Sequence, residues 1–391
     1  MNFTNIRSIL ILFIILAACV LSYIQTTRLN TLSFVSGIGI DKENENYIVS
    51  LQIYNPEANK KDGSDEMGGY TYSAKGETIP EAIKKIETDI SKTIFIETLE
   101  VVALGENILR EDGLEPLLDY LIQSLKIPAN IRMIVIKGVT PELFFQLFIP
   151  DQSLTSIYVN NMLTTFKNKW GSFADISAER IKSLIEDHTT DFVLPYVEVK
   201  GDIEEGLAKS NIEQFKPNTS LSLTGIAIFN KDKLQSYLTY DESNLFALLR
   251  GVNQKISMTL PCSNDEKYLT LQTIKTTSSI DSNTSPVSFD FKIHIKGNLE
   301  GINCKKDLTK PRTIKEIEAL IEIKISEEIN GFIKKHYPSK SEFLGLKDAL
   351  YRQHPKYYKK NKMMLNSVLS DAQINVDVKV SLDKVGPIGK V

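Results

Sequence analysis

The chain carries its longest unbroken apolar stretch near the start. Ile9 to Leu21, ILILFIILAACVL, is thirteen apolar positions in a row, preceded by Arg7 as the one positive side chain upstream. A bilayer-spanning helix needs about 20 apolar residues, so the run is short for a span. Its length, its positive flank and the small residues at its end fit a secretory signal. Beyond it no second apolar run approaches membrane length. The rest of the chain reads as an ectodomain outside the cytoplasmic membrane.

Past the signal the apolar positions fall into two rhythms. Leu32 to Ile40 and Tyr47 to Tyr54 read as strands around the turn Asp41–Asn44, a β-hairpin pattern. Residues 59–69 are polar with three glycines and predict an exposed loop. Thr78-Ile79-Pro80-Glu81 predicts a capping box with proline in the first turn. It opens a helix whose stripe is Ile79, Ile83, Ile86, Ile90 and Ile94. Glu100–Leu104 and Ile131–Ile136 are strand-like, and Leu114–Leu125, Leu154–Lys169 and Ile176–Asp187 helical. Phe192–Val199 reads as a strand, placed at an edge by Pro195. Leu221–Phe229 and Leu234–Leu238 form a second hairpin pattern, followed by a helix at Asp241–Arg250. Strands are expected near Ile256–Leu260, Tyr268–Ile274 and Val287–Ile295. A second capping box at Thr313–Glu316 starts a long helix to about His336, with Ile314, Ile317, Ile321, Ile325, Ile329 and Phe332 on one side. Phe343–Arg352 and Tyr357–Leu369 follow as helices, and Ile374–Leu382 alternates as a half-buried strand. Strands and helices mix without regular βαβ alternation, which predicts an α+β fold.

Composition adds bounds. The 391 residues exceed what one core holds, so two or three mixed α/β domains are expected. Residues 201–220 are polar and read as the linker between an N-terminal part, 19–200, and a C-terminal part, 221–391. With 46 basic against 49 acidic residues the net charge is −3, which gives no electrostatic reason to expect a nucleic-acid binder. Three cysteines cannot form a disulfide scaffold. Cys19 ends Leu16-Ala17-Ala18-Cys19, which resembles the lipobox of bacterial lipoproteins. There the thiol is alkylated with diacylglycerol and the cysteine becomes the new N-terminus, so residues 1–18 would be removed. Two acyl chains hold a protein durably at a membrane, where one holds weakly. The alternative is an uncleaved signal anchor in which Cys19 is one more apolar residue; both place the rest outside the membrane. Cys262 and Cys304 are either a disulfide, permitted in that compartment, or two buried thiols.

Candidate chemistry is sparse. His188, His294, His336 and His354 share no ligand-like spacing, and no CxxC is present, so no metal or cofactor is expected. Ser36-Gly37-Ile38-Gly39 contains GxG, but Lys42 stands where a dinucleotide fingerprint needs glycine, and a strand follows where a helix is required. Tyr351–Lys362, YRQHPKYYKKNK, gathers Arg352, Lys356, Lys359, Lys360 and Lys362 among three tyrosines. It reads either as a contact for anionic headgroups or an acidic partner, or as a solvated helix face with the tyrosines packed inward.

Several segments together resemble the C-subunit lipoproteins of spore germinant receptors, the GerAC/GerBC/GerKC group. They are the lipobox, Phe34–Asp41, Glu111–Asp119, Leu223–Phe229 with Asp241-Glu242-Ser243, Leu249-Arg250-Gly251, Phe343–Leu346 and Val376–Val380. Their order and spacing carry the resemblance across nearly all of the mature chain. One departure is that Val20-Leu21 follow Cys19 where members often carry Trp-Asp. The resemblance implies a non-enzymatic, lipid-held subunit on the outer face of the inner spore membrane, acting with integral A and B subunits in nutrient-triggered germination. Whether this subunit meets the nutrient is not implied. A solute-binding lipoprotein would need two similar βα lobes around a cleft, and a tethered cell-wall hydrolase would need a carboxylate or metal constellation.

Overall fold

The computed structural model describes residues 13, 29–56, 58, 67–128, 130–151, 154–169, 177–187, 191–252, 255–262, 267–304, 307–337 and 342–385. Cys19, His188 and, apart from Phe13, the signal segment 1–18 lie outside them. The architecture is mixed α and β, with two sheets and several helices.

The first sheet has nine strands: β1 (Leu32–Glu43), β2 (Asn46–Tyr54), β3 (Gly69–Gly76), β4 (Thr93–Phe95), β5 (Val101–Leu104), β6 (Arg132–Lys137), β7 (Val193–Gly201), β8 (Thr219–Asn230) and β9 (Lys233–Thr239). Their order is β3-β2-β1-β5-β6-β7-β8-β9, with β4 beside β1. The centre, β1-β5-β6-β7, is parallel, and antiparallel hairpins close both flanks. Parallel strands are covered on both faces, and these alternate accordingly. Ile134 and Ile136 of β6 enter one core, while Met133 and Val135 enter the other.

The second sheet is β10 (Ser257–Pro261), β11 (Tyr268–Thr284), β12 (Val287–Ile302) and β13 (Gln373–Val385), in that order. Only β12 and β13 run parallel, because the helical segments from Pro311 to Ser370 lie between them. The long helix Pro311–His336 packs on this sheet through Ile317, Ile321, Ile325, Ile329, Phe332 and Ile333, the predicted stripe displaced toward its C-terminal end. One core cluster includes residues of both sheets, so the two halves pack as neighbours.

Four sequence expectations shift. Pro195 does not mark an edge: β7 lies between β6 and β8. The missing N–H is tolerated because pairing with β6 begins only at Tyr196, and the ladder with β8 is broken by a bulge at Tyr196/Val197. The helix capped by Thr78 ends at Asp89, so Ile90 and Ile94 leave the stripe and Ile94 joins β4. The long helix begins at Pro311 behind Lys310, without a capping box at Thr313. Proline fits the first helical position, which moves the start upstream. Finally, 201–220 is an ordered excursion between β7 and β8, which pair antiparallel from Val193↔Ile228 to Gly201↔Thr219. Buried Asn211 ties it down. Its Nδ2 donates to the carbonyls of Phe148 (2.8 Å) and Thr219 (2.9 Å), and its Oδ1 accepts from Thr219 N–H (2.9 Å). The polar composition there marks an exposed connection, and the first sheet continues to Thr239.

Candidate functional site

Among the described residues no group of three or more His, Cys, Asp or Glu could hold a metal ion, and no helix is long and apolar enough to cross a membrane. The features that single out this chain are contact clusters and one surface ridge.

Segments quoted for the resemblance meet in space. Buried Asp41, at the end of β1, accepts from the backbone N–H groups of Lys42 (2.8 Å) and Ile108 (3.2 Å); burial pushes its carboxyl above the usual range. Next to it, Asp112 accepts from the Lys42 ammonium at 2.7 Å and from the Tyr47 hydroxyl at 2.6 Å. Burial raises the Asp112 carboxyl, but these two donors outweigh it and hold the group low. Glu242 closes a capping box with Thr239 at the start of the helix Tyr240–Leu249. It also takes Lys335 (2.6 Å) and His336 (2.8 Å) from the end of the long helix. Burial works against ionisation there, yet the donors bring the carboxyl down to about 2.

The tightest junction lies below. Arg250 ends the helix Tyr240–Leu249, and its Nη1 donates to the Leu344 carbonyl at 2.9 Å. Gly345 follows with φ +82°, and a Cβ there would stand 1.8 Å from that Nη1. Phe343 packs against Phe246 and Phe332, with ring centroids 5.7 and 6.2 Å apart. Glu342 is almost wholly buried and caps the helix Leu346–Gln353 by accepting from the N–H groups of Leu346 and Lys347. Its own N–H goes to Asp191 (2.5 Å), which also takes Lys231 N–H (2.8 Å) from the β8–β9 turn. Burial pushes the Glu342 carboxyl up to about 7. The junction thus fastens the first sheet to the C-terminal helices.

The basic segment stands on this base. Helices Leu346–Gln353 and Pro355–Asn361 meet at His354. Gln353 donates to Ile280 O (2.6 Å) and accepts from Ser282 N–H (2.8 Å), while His354 lies 2.7 Å from Ser282 O. Tyr358 is buried and meets Tyr351 edge-on at 5.2 Å. Of the cations predicted together, Arg352 is paired with Asp348. Lys356, Lys359, Lys360 and Lys362 are exposed and make no ion pair among the described residues. Met363 and Met364, just past the segment drawn from sequence, are 102% and 64% exposed. Two consecutive methionines directly after a lysine-rich segment are the sequence signal that could have found them.

Cys262 and Cys304 lie in the loops after β10 and β12, their sulfurs in contact and their Cα atoms 6.3 Å apart, a separation a disulfide spans.

Comparison with known proteins accounts for nearly the whole chain. Residues 25–199 match the family described as spore germination protein N-terminal domain, and residues 224–386 match spore germination B3/GerAC like, C-terminal. Spore germination protein KC of Bacillus subtilis (strain 168) is 26% identical over 86% of this chain and 84% of its own. Spore germination protein B3 of the same organism is 21% identical, over 97% of each chain. The crystal structure of the GerBC protein shares the fold, with TM-score 0.55 and 17% identity over 92% of this chain and all of that one. With both matched segments in order, the chain belongs to the GerAC family of spore germination proteins.

Proposed function

We propose that this chain is the C subunit of a nutrient germinant receptor, a non-enzymatic lipoprotein held by Cys19 on the outer face of the inner spore membrane. It acts by assembly: the lipid fixes its position, and the ectodomain packs against integral A and B subunits. The observation that carries the reading is the ordered match of both family segments, 25–199 and 224–386, together with a relative matched over 97% of each chain. The junctions at Glu242, Arg250 and Glu342 support it, because they tie the C-terminal helices to one another and, through Asp191, to the first sheet, which suits a chain that presents a surface to partners. Affinity purification of the full chain from spores tests it: A- and B-type membrane subunits are expected to co-purify, and their absence would refute the receptor assignment. For the anchor, Cys19→Ala is expected to abolish acylation and release of residues 1–18, read by mass spectrometry of the purified protein.

A further inference from the structure

Between Asp348 and Asp371 the sequence has five cations and no acidic residue, within a chain of net charge −3. Four of those cations, Lys356, Lys359, Lys360 and Lys362, project without carboxylate partners among the described residues. Elsewhere lysines such as Lys42, Lys182, Lys292 and Lys335 each meet one. At the end of the same ridge Met363 and Met364 stand out into solvent. The ridge is stiffened from beneath by Gln353, His354 and Tyr358, so the exposure is held in place by the fold.

We propose that the ridge Lys356–Met364 docks the ectodomain onto the anionic lipid headgroups of the membrane that holds its N-terminus. The chemistry is a division of labour along one short element. Ammonium groups sit at the phosphate level, and unbranched thioether side chains enter the interface below it. Protein interfaces instead seat their anchors in pockets ringed by polar contacts. Exposed lysines beside two exposed methionines match a fluid, negatively charged surface better. Cys19 lies ten residue steps before Leu29, which reach at most about 36 Å fully extended. A chain of this length has a radius of gyration of about 21 Å, so a body on that tether stays within reach of the surface. The inference rests on the lipid-anchored reading, and its test separates the two.

The full-length chain is prepared with Trp170→Phe, removing its one tryptophan, and Met363→Trp as a probe on the ridge. It is reconstituted through its N-terminus into phosphatidylcholine vesicles, with or without phosphatidylglycerol, carrying brominated acyl chains. Whether the N-terminus is held by acyl chains or by the unprocessed apolar run, the probe reports the ridge alone. The expected result is blue-shifted, bromine-quenched emission only where phosphatidylglycerol is present. Each lysine near such a surface contributes about fivefold. The triple change Lys356→Glu, Lys359→Glu and Lys360→Glu is therefore expected to lower the docked-to-free ratio by about a hundredfold or more. Raising ionic strength from about 0.05 to about 0.5 M is expected to weaken docking in the same direction. Solvent-like emission in both lipid compositions would overturn the proposal, as would quenching that survives the triple change in a chain with unaltered circular dichroism. Docking of the ridge on an acidic protein instead would give the first of these results.

Discussion

Replacing Gly345 by alanine tests the junction that fastens the first sheet to the C-terminal helices. Gly345 adopts φ +82° and ψ +27°, the left-handed region, where an L side chain costs about 1–2 kcal/mol. The new Cβ would also stand 1.8 Å from Arg250 Nη1, so the guanidinium must leave. Its departure breaks a charge-assisted bond to Leu344 O, worth about 1.5–3 kcal/mol. The two contributions give an expected loss of about 2.5–5 kcal/mol. Gly331, inside the long helix, is the internal control: a Cβ there meets nothing within 4 Å. Alanine at 331 is expected to stabilise by about 0.5–1 kcal/mol, as for a glycine in a helix interior. Guanidinium unfolding followed by circular dichroism measures both. A Gly345→Ala protein within about 0.5 kcal/mol of the parent would refute the reasoning. The coupling gives a second check. In an Arg250→Met background the obstruction is gone, and Gly345→Ala should then cost only the backbone term.

Two carboxylates should give pH dependences of opposite sign. Glu342 titrates at about 7 in the folded chain, above its ordinary 4.5. Between those values the folded state holds a proton that the unfolded state has lost. Its contribution therefore favours folding at low pH and is lost as pH rises through about 7; Glu342→Gln should flatten that slope in urea midpoints between about pH 5 and about pH 8. Glu242, held at about 2, contributes above pH 4.5 and loses that contribution as pH falls toward 2, so Glu242→Gln should flatten the acid side. A disulfide between Cys262 and Cys304 would close a 42-residue loop worth at most about 4 kcal/mol. Peptide mapping without reductant is expected to recover the linked pair, and alkylation of both thiols in the native protein would exclude it. Glu318 and Glu322 of the long helix accept from the N–H groups of Leu382 (2.8 Å) and Val380 (3.0 Å) in β13. Replacing both by alanine should cost about 1–3 kcal/mol for each N–H left unpaired, and unchanged stability would mean that water serves those groups equally well.

Much of the fold was legible where one rhythm persists. The hairpin β1–β2, the Thr78 cap and the long helix were read from alternation, a capping residue and a four-residue isoleucine repeat. Short elements were not. Pro141–Gln146 has too few turns to show a period, and β3, GYTYSAKG, is polar enough to pass for loop. Pro195 misled because the rule about proline concerns the missing N–H, and the length of the neighbouring ladder decides whether that N–H is needed. The ridge was visible because its lysines are close in sequence. The Arg250 junction was not, although both segments were singled out, because its acceptor is the Leu344 backbone carbonyl, a group every residue carries.

The helix glutamates that bond to β13 have a consequence for crowding. β13 is the outer strand of the second sheet, thirteen residues long, and such a border is a template for strand-to-strand pairing between copies. Two of its N–H groups are occupied by the chain's own carboxylates, so an incoming strand would have to displace both charges before it could zip on. Molecules confined to a surface collide with their own kind far more often than molecules free in three dimensions. For copies of this chain crowded side by side, the self-plugged border opposes strand-to-strand joining.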